Sequence, residues 1–381
     1  METNKNTQQE SSGDKLVTVA IHTHEKAVIL KSILESEGIP AVIHGVSLIE
    51  PVVPGNARVR ISEKDLPKAL AIIEKVDFTS NPDEEPQETK DEILVPVDFS
   101  DYSLKACEFG FRLARDTKSA VKLIHAFFTP FYPATVPFGD SFALQATDAD
   151  LYKDLKEKMD IEMKKLVGII NDKIASGELP NVPFSYALVE GLPEEEIISY
   201  SKKTRPRAIV MGTRGKNAKE LDLIGSVTAE VIEGCRTPIF AIPVGTEHDD
   251  ISAMKNIVFL TNFQEREFKA FEIMMNFLKA HQVKVYLAHI TKKEDVWDEM
   301  KLSGLKNRLK DVYPLLETEY KIIDQSEGLE ESIENFVKDN NIDMISLSSS
   351  RRSIFARMFN PGIARRMLFH SDTPLLVVKG M

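Results

Sequence analysis

At 381 residues the chain exceeds the usual extent of one hydrophobic core, so two or three domains are expected. Its hydrophobic content of 43% is that of a globular protein, and its net charge of −11 argues against nonspecific binding to nucleic acid or anionic membranes, which needs a basic face. Two cysteines, Cys107 and Cys235, make no disulfide framework; no C-x-x-C spacing suggests a metal, no apolar run reaches membrane-span length, and a soluble cytoplasmic protein is expected.

Residues 1–14 are polar and read as a disordered tail. From Leu16, "LVTVAIHT" reads as a strand, and "EKAVILKSILESEG" has helical periodicity with a glycine stop. "PAVIHG", a turn-rich "EPVVPGN", the strand "ARVRIS" and the helix "KDLPKALAIIEKV" follow. This β-α-β-β-α pattern makes a small α+β domain over residues 15–78. His22 and His24 alternate on one strand face and His44 follows; without a paired carboxylate or cysteine they read as a polar sheet face rather than a metal site. Residues 79–92, "TSNPDEEPQETKDE", hold six acids and no large apolar residue, the composition of a flexible linker.

The pattern then changes. "EILVPVDF" is almost wholly apolar, as expected of a parallel strand covered on both faces. Helices and the strands "AVKLIHAF", "FSYALVEG", "RAIVMG" and "PIFAIPVG" alternate after it, giving a doubly wound α/β domain over residues 93–247. From Asn256 the same order restarts and runs to the end, a second domain over residues 254–381. "IVMGTRG" aligns over "ISLSSSR" and "TPIFAIPVG" over "TPLLVVKG", an internal duplication at domain scale.

In an open parallel sheet, ligands sit beyond the carboxyl ends of the strands where their order reverses. If the strands ending at Asp98 and Gly212 are neighbours there, both ends face one crevice. Gly212 and Gly215 would then let the backbone approach a ligand, and Ser226 would cap a helix whose free amides suit polyphosphate. Asp98, a charge at the end of an apolar strand with few structural reasons to be there, could accept hydrogen bonds from a nucleoside. Neither GxxxxGK[ST] nor GxGxxG fits.

The spacing Gly212-x2-Gly215-x9-Gly225-Ser226 resembles the G-x2-G-x9-G-[ST] nucleotide motif of the universal stress protein family. The likeness extends to "ILVPVDFS", "LIHAF" and "TPIFAIPV". It implies two tandem five-stranded parallel-sheet domains of strand order 3-2-1-4-5, and an ATP site in the first. Pro96, Asp98 and the backbone at Ala126 would surround the nucleoside. Met211, Gly212 and Gly215 would border ribose and phosphates, while Gly225, Ser226, Val227 and Thr228 would hold the phosphates with Mg²⁺. Met211 and Val227 serve equally well as core packing.

The second copy has Ser348, Arg351, Pro361 and Gly362 at the motif positions and Asn262 in place of Asp98, so it is not expected to bind ATP in the same manner. Its loop gathers Arg351, Arg352, Arg357, Arg365 and Arg366, which read as a solvated helix face or a contact with the acidic first half, with an anion or acidic-partner site as the alternative.

The small first domain is similar to a family of prokaryotic signal-transducing domains, through "ILESEGIPAVI" and "VRISEKDLPKALAII". The function implied is an ATP-binding stress-response regulator read by a protein partner. The alternatives are a slow ATPase or autokinase, and a structural adaptor stabilised by nucleotide. Arg214 and Lys216 could clamp a γ-phosphate, but no acid or histidine in the motif is an evident base, so no catalytic residue is expected. Relatives pair through their final strands, so either a homodimer or an internal pseudo-dimer through "PIFAIPV" and "PLLVVK" is implied.

Overall fold

The structure is a computed structural model that describes residues 16–22, 24–44, 57–73, 90–128, 148–213, 226–247, 249–261, 265–278, 281–291, 296–324, 329–349 and 372–379. The expected tail, residues 74–78 of the small domain, residues 79–89 of the expected linker, Asn262 and the arginine-rich stretch from Arg351 to Arg366 lie outside the described residues. The chain divides into two compact units, the first ending at Ser80 and the second starting at Asn81.

In the first unit, β1 (Leu16–His22), β2 (Ala41–His44) and β3 (Ala57–Ser62) form an antiparallel sheet of order β1-β3-β2. Helix α1 (His24–Ser36) buries Ala27, Leu30 and Leu34, a stripe at helical spacing, and α2 (Leu66–Ile73) adds Ala69. Gly38 takes a left-handed φ of 78° and ends α1, with the Ile39 amide donating to the Leu34 carbonyl at 2.9 Å. His24 opens α1 and does not lie on β1, so the expected pairing of His22 and His24 on one strand face does not occur. Among the described residues no group of three or more His, Cys, Asp or Glu side chains could hold a metal ion.

The second unit opens with β4 (Lys90–Pro96), α3 (Asp101–Thr117), β5 (Ala120–Phe127), α4 (Asp148–Ala175) and β6 (Phe184–Glu190). It continues through α5 (Pro193–Thr204), β7 (Pro206–Gly212), α6 (Ser226–Gly234) and β8 (Ile239–Ile242). Next come β9 (Asn256–Leu260), α7 (Glu265–Leu278), β10 (Lys284–Thr291), α8 (Val296–Val312) and β11 (Glu317–Asp324). It closes with α9 (Leu329–Asp339), β12 (Met344–Ser349) and β13 (Leu375–Lys379). These strands form a single ten-stranded sheet of order β6-β5-β4-β7-β8-β13-β12-β9-β10-β11. Every neighbouring pair is parallel except β8 and β13, which run antiparallel with Phe240 opposite Leu376.

β4 begins inside the segment expected to be linker. The Lys90 amide donates to the Arg205 carbonyl at 2.9 Å, and Glu92, 6% exposed, accepts from the Tyr200 hydroxyl at 2.9 Å and the Lys90 ammonium at 2.7 Å. Arg205 and Tyr200 are distant in sequence, so the strand extends through residues whose composition reads as solvated.

Alternating strand residues supply two cores, one on each face of the sheet. Helices α3, α4, α7 and α8 cover one face and α5, α6 and α9 the other. On the first face Phe240 of β8 packs against Phe109 of α3 and Phe277 of α7, with ring centroids 5.4 and 5.2 Å apart. Both cysteines are buried, and burial pushes the Cys235 thiol up to about 11.

Local details recur along the unit. Val97 N donates to Ile124 O and Thr261 N to Ala288 O, both at 2.9 Å. Ile209 N donates to Pro238 O and Ile345 N to Pro374 O, again at 2.9 Å, while Arg205 and Asn341 share a left-handed φ of 48° and 47°.

Candidate functional site

β4 pairs with β5 on one side and with β7 on the other, so the strand order reverses between β4 and β7. Leu94 and Ile209 are partners in that parallel pair, and the register carries the two strands side by side to their exits at Asp98 and Thr213. A reversal of this kind opens a crevice, because the helices after the two strands lie on opposite faces of the sheet.

The β4 exit is tightly ordered. The Asp98 carboxylate accepts from the Ser100 amide at 3.2 Å and from the Ser100 hydroxyl at 2.5 Å. Phe99 between them adopts a left-handed φ of 62°, and Ser100 in turn caps α3 by accepting from the Ser103 amide at 3.2 Å. Asp98 therefore does have a structural task, contrary to expectation: its side chain closes the turn that launches α3. Pro96 and Ala126 are half-buried at the ends of the adjacent strands β4 and β5.

At the β7 exit Met211 and Gly212 are buried. A Cβ on Gly212 would stand 2.8 Å from the Cβ of Tyr102 and 2.9 Å from its main-chain carbon and oxygen. The missing side chain makes room for the first turn of α3. Thr228, 4% exposed in the first turn of α6, donates its hydroxyl to the Gly212 carbonyl at 2.9 Å. That proton is committed to tying α6 to β7, which leaves the main-chain amide as the donor Thr228 can offer to an anion. Ser226 is the first residue of α6 rather than its N-cap, and Val227 is half-buried. Arg214, Gly215, Lys216 and Gly225 lie outside the described residues.

Three residues at this place escaped the sequence reading. Ser100 carried a visible signal, a serine just before an acidic helix start in "DFSDYS". Tyr102 carried none and His125 stood only as the histidine of "LIHAF" without a role, because their roles depend on which strand lies beside which. His125, near the end of β5, places Nδ1 2.7 Å from the Val97 carbonyl oxygen. In the second half Ser348 occupies the end of β12, wholly buried, and its hydroxyl has no hydrogen-bond partner among the described residues.

Residues 90–243 match the model of the universal stress protein family. Universal stress protein MJ0531 of Methanocaldococcus jannaschii is 30% identical over 151 residues, 39% of this chain and 80% of its own. Universal stress protein MJ0577 of the same organism is 30% identical over 155 residues, 39% of this chain and 93% of its own. A crystal structure of a universal stress protein from Archaeoglobus fulgidus superposes with a TM-score of 0.54 at 16% identity, covering 76% of this chain and 97% of that one. At that identity the likeness is one of fold.

Proposed function

The chain belongs to the universal stress protein family, and from that premise we propose that its first α/β half binds ATP and works as a regulator whose nucleotide state a protein partner reads. One observation carries the reading: β4 and β7 exit side by side where the strand order reverses, with Asp98 beyond one strand and the amino end of α6 following the other. Asp98, Pro96 and the Ala126 backbone face the nucleoside, and Met211 closes the floor. The main-chain amides of Ser226, Val227 and Thr228, with those of the Arg214–Gly225 segment, meet the phosphates and the Mg²⁺ that accompanies them. A regulator is favoured over an ATPase or autokinase because Asp98, the acid at the β4 exit, is placed by this reading toward the nucleoside rather than the γ-phosphate, and its carboxylate holds Ser100.

The second half is proposed to be a second copy that has lost the nucleotide. The recurrent hydrogen bonds and left-handed caps support common descent of the two halves, and Ser348 puts a side chain where the first half has Gly212. The antiparallel pairing of β8 and β13 supports reading the two copies as an internal pseudo-dimer. The first unit is proposed to be a signal-transducing module.

The test is direct. Protein purified from cells is denatured and any released nucleotide identified by chromatography, and calorimetry on nucleotide-free protein counts the sites. One ATP site per chain is expected. Two equal sites would overturn the reading of the second half, and folded protein without affinity for adenine nucleotides would overturn the whole proposal.

A further inference from the structure

His125 touches the residues on both sides of Asp98. The Val97 carbonyl can only accept, so the imidazole Nδ1 2.7 Å away carries the proton and donates it. The Phe99 ring lies 4.3 Å from the imidazole, centroid to centroid, at 40°. Nε2 sits 3.2 Å from the Met159 sulfur of α4, and the residue is 9% exposed, so the ring is held from behind as well. Between Val97 and Phe99 the Asp98 carboxylate is fixed to Ser100, and Phe99 keeps a left-handed backbone that a bulky residue adopts only where its surroundings over-determine it.

From this geometry we infer that His125 is a positioning residue for the nucleotide site, holding the β4 exit so that Asp98 presents its carboxylate to the nucleoside. The inference rests on the nucleotide reading above. Without the imidazole, the buried Val97 carbonyl loses its partner and Phe99 loses the ring that pins it. The turn then gains alternative conformations, and nucleoside binding has to select one of them.

The second half holds an internal control. His289 Nδ1 lies 2.9 Å from the Thr261 carbonyl, the same contact over the same separation of 28 residues. Loss of that bond costs the scaffold a similar amount, but it lies in the half proposed to hold no ATP.

The experiment titrates full-length wild-type, His125→Phe, His289→Phe, His125→Asn and Phe99→Leu proteins with ATP and with adenosine by calorimetry. His125→Phe is expected to weaken both ligands about tenfold, the loss of one buried hydrogen bond. ATP and adenosine should weaken in equal proportion, because the phosphates are not involved. His289→Phe should leave both affinities within about twofold of wild type, since the residue lies outside the site. His125→Asn, whose amide nitrogen can donate to Val97, should recover much of the loss. Phe99→Leu keeps the apolar volume and removes the ring contact, so it tests the same turn if His125→Phe does not fold, and it should weaken both ligands. Wild-type affinity in folded His125→Phe or in Phe99→Leu overturns the inference, as does an equal loss in His289→Phe. If wild-type protein binds neither ligand, the nucleotide reading fails first and this inference falls with it.

Discussion

Gly212 and Asp98 each have two claims on them. Gly212 packs against the main chain of Tyr102, so any side chain there forces α3 away from β7. Gly212→Ala is expected to destabilise the protein by about 1–3 kcal/mol, the usual cost of overpacking, seen as a lower urea midpoint with or without nucleotide. Wild-type stability in that variant would show that α3 yields at no cost. Loss of ATP binding in a bulkier variant such as Gly212→Val therefore says little about phosphate contact. Asp98 is likewise a turn residue before it is a ligand group. Its position at the end of an apolar strand was legible in the sequence, but its bonds to Ser100 were not, because a side-chain turn leaves no periodic trace.

At the scale of elements, α3 joins the site to the rest of the fold. Its amino end is capped by Ser100 beside Asp98, and it ends at Lys118, whose left-handed backbone returns its amide to Ala114 and Arg115. Its basic side chains reach the segment after β8: Lys105 and Arg112 meet Asp249 at 3.1 and 3.0 Å, and Arg115 holds both Asp250 oxygens at 3.1 and 3.0 Å. Burial works against the Asp250 charge, but the Ser252 hydroxyl and amide together with Arg115 outweigh it and hold the carboxyl below its ordinary range. Because the folded value lies below the unfolded one, the stability Asp250 contributes is present above about pH 4 and is lost as the pH falls through the folded value. Asp250→Asn should therefore lower the thermal midpoint at pH 7, with a difference from wild type that shrinks in acid. A pH-independent difference would mean that the charge is not what the contact uses. The helix itself was plain in "DYSLKACEFGFRLARD"; the acidic partners at Asp249 and Asp250 lie far along the chain and could not be paired with it by pattern.

Across the whole second unit, β8 is an inner strand of the sheet only because β13 covers its free edge. Phe240 on β8 joins the α3 and α7 sides of the core through its contacts with Phe109 and Phe277. A fragment ending near residue 250 would expose that edge and that ring. It is expected to self-associate at micromolar concentration, while the full chain does not use this edge for assembly. Light scattering coupled to gel filtration distinguishes the two, and a strictly monomeric, well-folded fragment would contradict the expectation. No helix among the described residues is long and apolar enough to cross a membrane.

Strand and helix order, the burial of the parallel strands and the glycine spacing could be read along the chain, because periodicity and composition are properties of neighbouring residues. The assignment of tasks to those residues could not. Gly212 meets Tyr102, His125 meets Val97 and Phe240 meets Phe277 across separations of 110, 28 and 37 residues. Such contacts exist only once the sheet has chosen its strand order. Close packing between distant segments, rather than local propensity, decided which glycine serves a helix, which carboxylate holds a turn and which strand edge is covered.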